Sequence, residues 1–161
     1  ETNEFTLEVL HTPGHLSDHL CIAIKEKNII FTGDHVMGWS TSIIIPPDGD
    51  IDQYNKSLIK LINRSETTYL PGHGLPIYDG INVSSKYLKH RLLREKEIYN
   101  LFFKYDFLTI DQITDNIYRK YDKKLHSFAK QNVFSHLISL IEKEKISYEK
   151  KIDICSKFYI K

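Results

Sequence analysis

The stretch Ile29-Ile30-Phe31-Thr32-Gly33-Asp34-His35 joins a short apolar run to a polar turn that carries a carboxylate and an imidazole. Its first three residues predict a strand, and Thr32-Gly33-Asp34 predicts the loop in which that strand ends. Residues that carry chemistry lie preferentially on loops that a rigid scaffold positions. The stretch therefore predicts an α/β layer whose functional groups follow the ends of strands.

Two other loops repeat this arrangement on either side of it. Upstream, a strand over Phe5 to Leu10 is followed by Thr12-Pro13-Gly14-His15, and downstream a strand over Thr67 to Leu70 is followed by Pro71-Gly72-His73-Gly74. Between the second and third loops, Asp50 to Asn63 has apolar residues at helical spacing. Imidazole and carboxylate are ligands that divalent metal ions prefer, and glycine allows close backbone approach. One such loop is a weak signal, but three in this order predict a metal site.

These motifs resemble the metallo-β-lactamase superfamily over about residues 5–79. The resemblance implies that His15 is a ligand of a first metal ion, that Asp34 bridges two ions, and that His73 is a ligand of the second. It implies metal-assisted hydrolysis with two divalent ions, expected to be zinc, and Asp34 is then the predicted catalytic residue. The run from Gly33 to Trp39 resembles a narrower branch, the β-lactamase-like protein 2 group. That branch implies an endonuclease acting on single-stranded RNA, with a winged-helix-like domain at its C-terminus.

The chain departs from this family at one motif. The signature H-x-H-x-D-H, which supplies the other ligands of both metals, is absent, and the nearest string is His15-Leu16-Ser17-Asp18-His19. Catalytic zinc sites use three protein ligands, so we expect weak or no metal binding and little or no hydrolysis by this chain alone. Two explanations are open: the chain is the second half of a longer hydrolase, or it is a natural remnant with another role. The three intact ligand positions favour the first.

The rest of the chain predicts a separate basic domain. Helical patterns over residues 84–104, 109–118 and 125–144 precede an alternating segment over residues 146–160, and three helices followed by a hairpin is the order of a winged helix. The predicted fold class is α+β: residues 1–84 are the second half of a metallo-β-lactamase αβ/βα sandwich, and residues 85–161 are a winged-helix-like domain.

Charge is divided unevenly between these two parts. Residues 1–84 hold 5 Lys+Arg against 11 Asp+Glu, and residues 85–161 hold 17 against 10, so the balances of −6 and +7 add up to the net charge of +1. This asymmetry favours a cation site in the first part and a polyanion-binding module in the second. Lysine-rich, solvated helix faces would give the same balance. Lys89, Arg91, Arg94 and Lys96 in particular are interpreted either as contacts to a phosphate backbone or as such a face.

Partners and compartment follow from simpler features. Cys21 and Cys155 are far apart in sequence and indicate buried thiols in a reducing compartment, so we expect an intracellular protein, cytoplasmic or mitochondrial. No stretch approaches the roughly 18 apolar residues of a membrane helix, and no membrane partner is expected. The expected partners are single-stranded RNA and a second copy of the chain, because half of the fold alone would leave a sheet edge and an apolar face uncovered.

Two rival functions stay open at this point. One is a thioesterase resembling glyoxalase II, a group that also uses a histidine-rich loop and a Gly-Asp bridge but carries a different C-terminal domain. The other is a non-catalytic module that binds nucleic acid or a protein partner through the winged helix. Among single residues, His19 is interpreted either as a group that orients the metal loop or as a packed histidine. Trp39 and Tyr69 are candidates for base stacking, although burial is the expectation for both.

Overall fold

A four-stranded sheet organises the first half of the chain. The structure is a computed structural model that describes residues 4–120 and 122–161, and it divides into two units, Glu1–Arg91 and Leu92–Lys161. In the first unit the strands lie in the order β1 (Glu8–His11), β2 (Leu20–Ile24), β3 (Ile29–Gly33) and β4 (Thr68–Pro71). The first three strands are antiparallel neighbours, whereas β4 pairs in parallel with β3. Parallel neighbours need a crossover connection, and helix α1 (Ile51–Ile62) lies in it.

One face of this sheet is packed and buried. Alternate strand residues and the apolar stripe of α1 form one core, whose members include Leu10, Cys21, Ile30, Tyr54, Leu58 and Tyr69. Helix α1 begins at Asp50, whose carboxylate accepts hydrogen bonds from the backbone N–H groups of Asp52 and Gln53. The capped start and the apolar stripe together place the helix against the sheet.

The opposite face of the sheet is apolar and open to solvent. Val9 pairs with Ile22 and Ile22 pairs with Phe31, so these three side chains form one row across the sheet. Leu20 lies two residues from Ile22 and therefore projects from the same side. The exposed fractions of Val9, Leu20, Ile22 and Phe31 are 62%, 51%, 37% and 42%. We call these four residues the open sheet face.

The second unit is built on a smaller, three-stranded sheet. Its strands lie in the order β5 (Leu108–Thr109), β7 (Lys157–Ile160) and β6 (Ile146–Tyr148), all antiparallel, and they accompany helices α3 (Ile110–Ile117) and α4 (His126–Glu142). Thr109 and Gln112 form the capping box predicted at the start of α3. The core of this unit includes Ile98, Phe102, Val133, Leu137 and Phe158. The predicted α+β class is confirmed.

Helix α2 (Gly80–Leu101) contributes residues to both units, because the division between them falls after Arg91. The domain limits expected from the sequence, 1–84 and 85–161, stay a prediction. Both cysteines are free, and Cys21 is buried, but Cys155 is exposed, so the expectation of a buried thiol was wrong for Cys155. In the described ranges no helix is both long enough and apolar enough to span a bilayer.

Candidate metal centre

Asp34 and His73 lie side by side at one edge of the four-stranded sheet. Asp34 follows β3 and His73 follows β4, and since these strands run parallel, their carboxyl ends meet at the same edge. The His73 Nε2 atom lies 3.6 Å from Asp34 Oδ1, with the side chains 60% and 39% exposed respectively. Both groups can therefore face a cation that approaches from solvent.

Gly72 makes this close approach possible. A Cβ atom on Gly72 would lie 2.7 Å from Asp34 Oδ1, closer than side chains tolerate, so the carboxylate occupies the space beside a residue that has no side chain. The Gly72 N–H donates a 2.8 Å hydrogen bond to the Gly33 carbonyl, which joins the two loops. The glycine of the Pro71-Gly72-His73-Gly74 motif is thus needed for the position of Asp34 as well as for its own turn.

His15 is held with one ring nitrogen committed and the other available. Its Nδ1 lies 2.8 Å from the Ile43 carbonyl oxygen, which can only accept, so Nδ1 is the donor of this hydrogen bond and Nε2 is the nitrogen left to face a metal ion. Gly14 precedes it at φ +137°, and a Cβ there would lie 2.3 Å from the Tyr54 backbone. The hydrogen bond from His15 Nδ1 to the Ile43 carbonyl is of the type that orients metal-ligating histidines.

His19 lies between His15 and the Asp34 loop. Its ring centroid is 6.4 Å from that of His15, and a Cβ on Gly33 would lie 2.9 Å from His19 Nε2. Burial lowers the pKa of His19, and the nearby His15 lowers it further, while the Asp34 carboxylate opposes both. A 3.0 Å hydrogen bond joins His19 Nδ1 to Thr12 Oγ1. These contacts place His19 beside the site, and both interpretations of it, an orienting group and a packed histidine, stay predictions.

The Asp34 loop is held in place by residues to which the sequence assigned no role at this site. Ser42 Oγ donates to the backbone carbonyls of Asp34 and His35, and Tyr54 OH donates to the His35 carbonyl at 2.8 Å. Arg91, only 2% exposed, donates to the Ser42 carbonyl, and its guanidinium carbon lies 5.3 Å from the centroid of the Tyr54 ring. No local pattern around Ser42, Tyr54 or Arg91 predicts this, because each role depends on contacts distant in sequence.

His35 lies inside the first unit. Its ring is fully buried, 4.5 Å from the Tyr54 ring centroid and 5.7 Å from that of His19, and neither ring nitrogen has a hydrogen-bond partner in the described part of the chain. Burial lowers the pKa of His35 to about 3. Its position is that of a structural residue in the core of this unit.

Several expectations about aromatic and basic residues need correction. Trp39 is 70% exposed rather than buried, and its indole stacks on the His73 ring at 6.2 Å between centroids and 13° between planes. Tyr69, in contrast, is fully buried as expected, so it is not available for base stacking. Arg91 and Arg94 are also buried, so neither proposed role, phosphate contact or solvated helix face, applies to them. The sequence pattern missed this because burial within α2 depends on tertiary packing.

The donor set is suited to a divalent cation but is incomplete. Two imidazoles and a carboxylate are typical ligands of zinc and of other borderline ions. However, among residues 4–120 and 122–161 no group of three or more His, Cys, Asp or Glu side chains is arranged to hold a metal ion. Asp34 and His73 form a pair, and His15 adjoins His19 rather than completing that pair. The Asp34–His73 pair offers two ligands for one ion. The assignment of His15, Asp34 and His73 as ligands stays a prediction.

Comparison with known proteins identifies both parts of the chain. Residues 3–73 match the model of the metallo-beta-lactamase superfamily, and residues 109–153 match that of the beta-lactamase associated winged helix domain. The first part of the chain is a metallo-beta-lactamase superfamily domain. The predicted family and the winged-helix assignment are thereby confirmed. This fold typically belongs to hydrolases and generally binds divalent metal ions.

Individual relatives differ in how much of the chain they match. The beta-lactamase-like protein 2 homolog of Drosophila melanogaster is 32% identical over 164 residues, covering 98% of this chain and 54% of its own length. A thioesterase of Emericella nidulans is 35% identical over 99 residues, 62% of this chain and 28% of its own length. The chain spans about half the length, or less, of these curated relatives.

Two solved structures share the fold across the whole chain. A beta-lactamase domain protein from Burkholderia ambifaria has a TM-score of 0.86 at 17% identity, and the match spans 100% of this chain and 50% of that protein's chain. A metallo-beta-lactamase family protein from Thermus thermophilus has a TM-score of 0.82 at 18% identity, with corresponding shares of 100% and 51%. At these identities the likeness establishes the fold alone.

Proposed function

We propose that this chain is part of a metal-dependent phosphodiesterase that cleaves single-stranded RNA, an endoribonuclease in its full-length form. The observation that carries the proposal is the Asp34–His73 pair, 3.6 Å apart at the ends of two parallel strands, in one chain with a basic winged helix domain. A carboxylate and imidazoles at a solvent-facing strand edge suit metal-assisted hydrolysis. A basic module suits a polyanionic substrate.

Each residue of the site has a distinct part in this proposal. A divalent ion, expected to be zinc, would supply the Lewis acidity that activates water and polarises the phosphodiester. Asp34 would hold the metal ions as their shared carboxylate, and His73 would bind beside it. His15 presents Nε2 because its Nδ1–H is committed to the Ile43 carbonyl. Ser42 limits movement of the Asp34 backbone through its hydrogen bonds to the adjacent carbonyls.

The surface of the second unit supports a nucleic-acid substrate. The segment between α2 and β5 carries three exposed aromatic residues, Phe103, Tyr105 and Phe107, together with the exposed Lys104. The Lys157 ammonium lies 4.6 Å from the centroid of the Phe107 ring. Exposed aromatic rings interleaved with cations are the combination that binds single strands, since bases stack on the rings and the cations contact phosphates.

The test uses the full-length gene product and an end-labelled single-stranded RNA oligomer. We expect cleavage with added zinc or manganese, loss of cleavage after chelation, and loss of at least a hundredfold in kcat for Asp34→Asn, which removes the shared charge while keeping the shape. Lys56→Gln on α1 serves as a control, because Lys56 is exposed and lies outside the site. The 161-residue chain alone should cleave little or no RNA. Undiminished cleavage by the Asp34→Asn protein would refute the proposal.

A thioesterase is the second candidate. It is favoured by the 35% identity to a fungal thioesterase over 99 residues, although that match covers 62% of this chain, against 98% for the beta-lactamase-like protein 2 homolog. A glutathione thioester and an acyl thioester of a carrier protein should be assayed beside the RNA. Hydrolysis of either thioester without RNA cleavage would replace the first proposal. Salt-sensitive RNA binding without any hydrolysis would instead indicate a non-catalytic binding module.

A further inference from the structure

The strongest unexplained feature of the first unit is the exposed indole of Trp39. Tryptophan is costly to leave in water because of its large apolar surface, yet Trp39 is 70% exposed while the core of the same unit is closed. It does not belong to the open sheet face, because it follows β3 in the loop that begins with Asp34. Its place is beside the candidate metal centre.

The backbone around Trp39 is packed so that the indole has a defined position. The Gly38 N–H donates a 3.0 Å hydrogen bond to the His73 carbonyl. A Cβ on Gly38 would lie 2.7 Å from the Leu75 carbonyl oxygen, and one on Gly74, at φ +95°, would lie 2.9 Å from the Gly38 Cα. Two glycines thus bring the Trp39 loop and the His73 loop into direct backbone contact, which holds the indole against the imidazole.

The rings themselves form a continuous aromatic surface at the site. The indole and the His73 imidazole are nearly parallel, 6.2 Å between centroids and 13° between planes. The same imidazole lies beside the carboxylate, with His73 Nε2 3.6 Å from Asp34 Oδ1. A group stacked on the free face of Trp39 would therefore be separated from the candidate catalytic carboxylate by two rings, the indole and the His73 imidazole.

We infer that Trp39 is a substrate-binding residue, a platform on which one base of single-stranded RNA stacks next to the phosphodiester to be cleaved. The inference rests on the proposed function and adds to it a specific base-binding position. Every base has a flat face, so such a platform gives affinity with little sequence preference. A rigidly held ring also loses little conformational entropy when the base binds. A substrate without a planar group would gain nothing from this indole.

Fluorescence provides a direct test, because Trp39 is the single tryptophan among these 161 residues and the difference between the full-length protein and its Trp39→Phe variant isolates its emission. The full-length protein and its Trp39→Phe variant are titrated, in chelator so that no cleavage occurs, with a short single-stranded oligoribonucleotide. An abasic oligomer of the same length and charge is the matched ligand. We expect saturable quenching of the emission that is lost in Trp39→Phe, and we expect no quenching by the abasic oligomer. Equal responses to both oligomers, or a buried-type emission that no oligomer changes, would overturn the inference.

Kinetics with metal present separates a binding role from a structural one. Trp39→Ala should raise KM for the oligomer about tenfold with kcat nearly unchanged, the equivalent of ~1.4 kcal/mol, and Trp39→Phe should recover most of the loss. Leu75→Ala is the control, since Leu75 is an exposed apolar neighbour without a ring. A fall in kcat alone, or an unchanged KM in Trp39→Ala, would contradict the platform.

The two proposals fail in different ways. Quenching by bases without any RNA cleavage would support the platform and refute the nuclease. Cleavage that is indifferent to Trp39→Ala would keep the nuclease and refute the platform. Quenching by an aryl thioester but not by the oligoribonucleotide would overturn the assignment of a nucleobase.

Discussion

The open sheet face makes a quantitative prediction about the 161-residue chain. Val9, Leu20, Ile22 and Phe31 are 37–62% exposed. Full burial of such a side chain contributes about 1.5–3 kcal/mol, so the part still exposed represents ~1 kcal/mol for each residue. Two copies that cover this face on each other would gain ~8 kcal/mol, against an association cost of at least ~4 kcal/mol. The difference of ~4 kcal/mol corresponds to a Kd on the order of 1 mM.

We therefore expect concentration-dependent self-association of this chain, which Ile22→Lys should abolish. Ile22 lies at the centre of the row, between its strand partners Val9 and Phe31, so an ammonium group there would be desolvated in any dimer. Sedimentation equilibrium measures the effect over a range from about 20 μM, well below this Kd, to about 1 mM, which is on its order. Ile59→Lys is the matched control, since Ile59 is similarly exposed but lies on α1. The reasoning is refuted if Ile22→Lys associates as strongly as the unmodified chain, or if Ile59→Lys weakens association equally.

Further predictions concern the stability of each unit. Arg91→Met should lower the free energy of unfolding by about 1–3 kcal/mol, because it leaves the buried Ser42 carbonyl without the guanidinium donor. Urea denaturation measures this free energy, and an unchanged value would contradict the role of the Arg91–Ser42 hydrogen bond. Thr109→Ala should cost ~1 kcal/mol by removing the cap of α3, whereas Thr109→Ser should restore it. The pKa of His35 is about 3 in the folded chain, whereas its ordinary value is 6.5. Between pH 3 and 6.5 the unfolded chain therefore binds one proton on His35 that the folded chain does not bind. Stability should therefore fall as the pH drops below 6.5, and His35→Phe should flatten that dependence in denaturation curves of the metal-free chain.

Local sequence patterns were sufficient to predict the strands and helices named above and the order of the three loops that carry His15, Asp34 and His73. Apolar runs before Thr12, Thr32 and Pro71 predicted strands, and the spacing over residues 50–63 predicted α1, because periodicity and turn residues act within a few positions of one another. The capping box at Thr109 followed from the same kind of short-range pattern. Family membership also rested on motifs of four or five consecutive residues.

Burial along helix α2 could not be predicted in this way. Arg91 looked like a member of a basic, solvated face, yet it is buried and holds the Ser42 carbonyl. Its partner lies 49 residues away, and a charged side chain becomes favourable in the interior only when such a partner is already in place. The difference in exposure between Tyr69, which is buried in the sheet, and Trp39, which lies exposed in a loop, likewise depends on contacts that are distant in sequence.

The sequence by itself determined which groups are available: a carboxylate and imidazoles after strands, glycines beside them, and a basic second half. Only the tertiary structure decided which of these groups meet. The parallel pairing of β3 and β4 brings Asp34 to 3.6 Å from His73 and sets Trp39 on the imidazole, whereas His15 lies against His19. Strand pairing joins residues that are distant along the chain, and the resulting distances depend on the register and on the packing of the loops rather than on any local pattern.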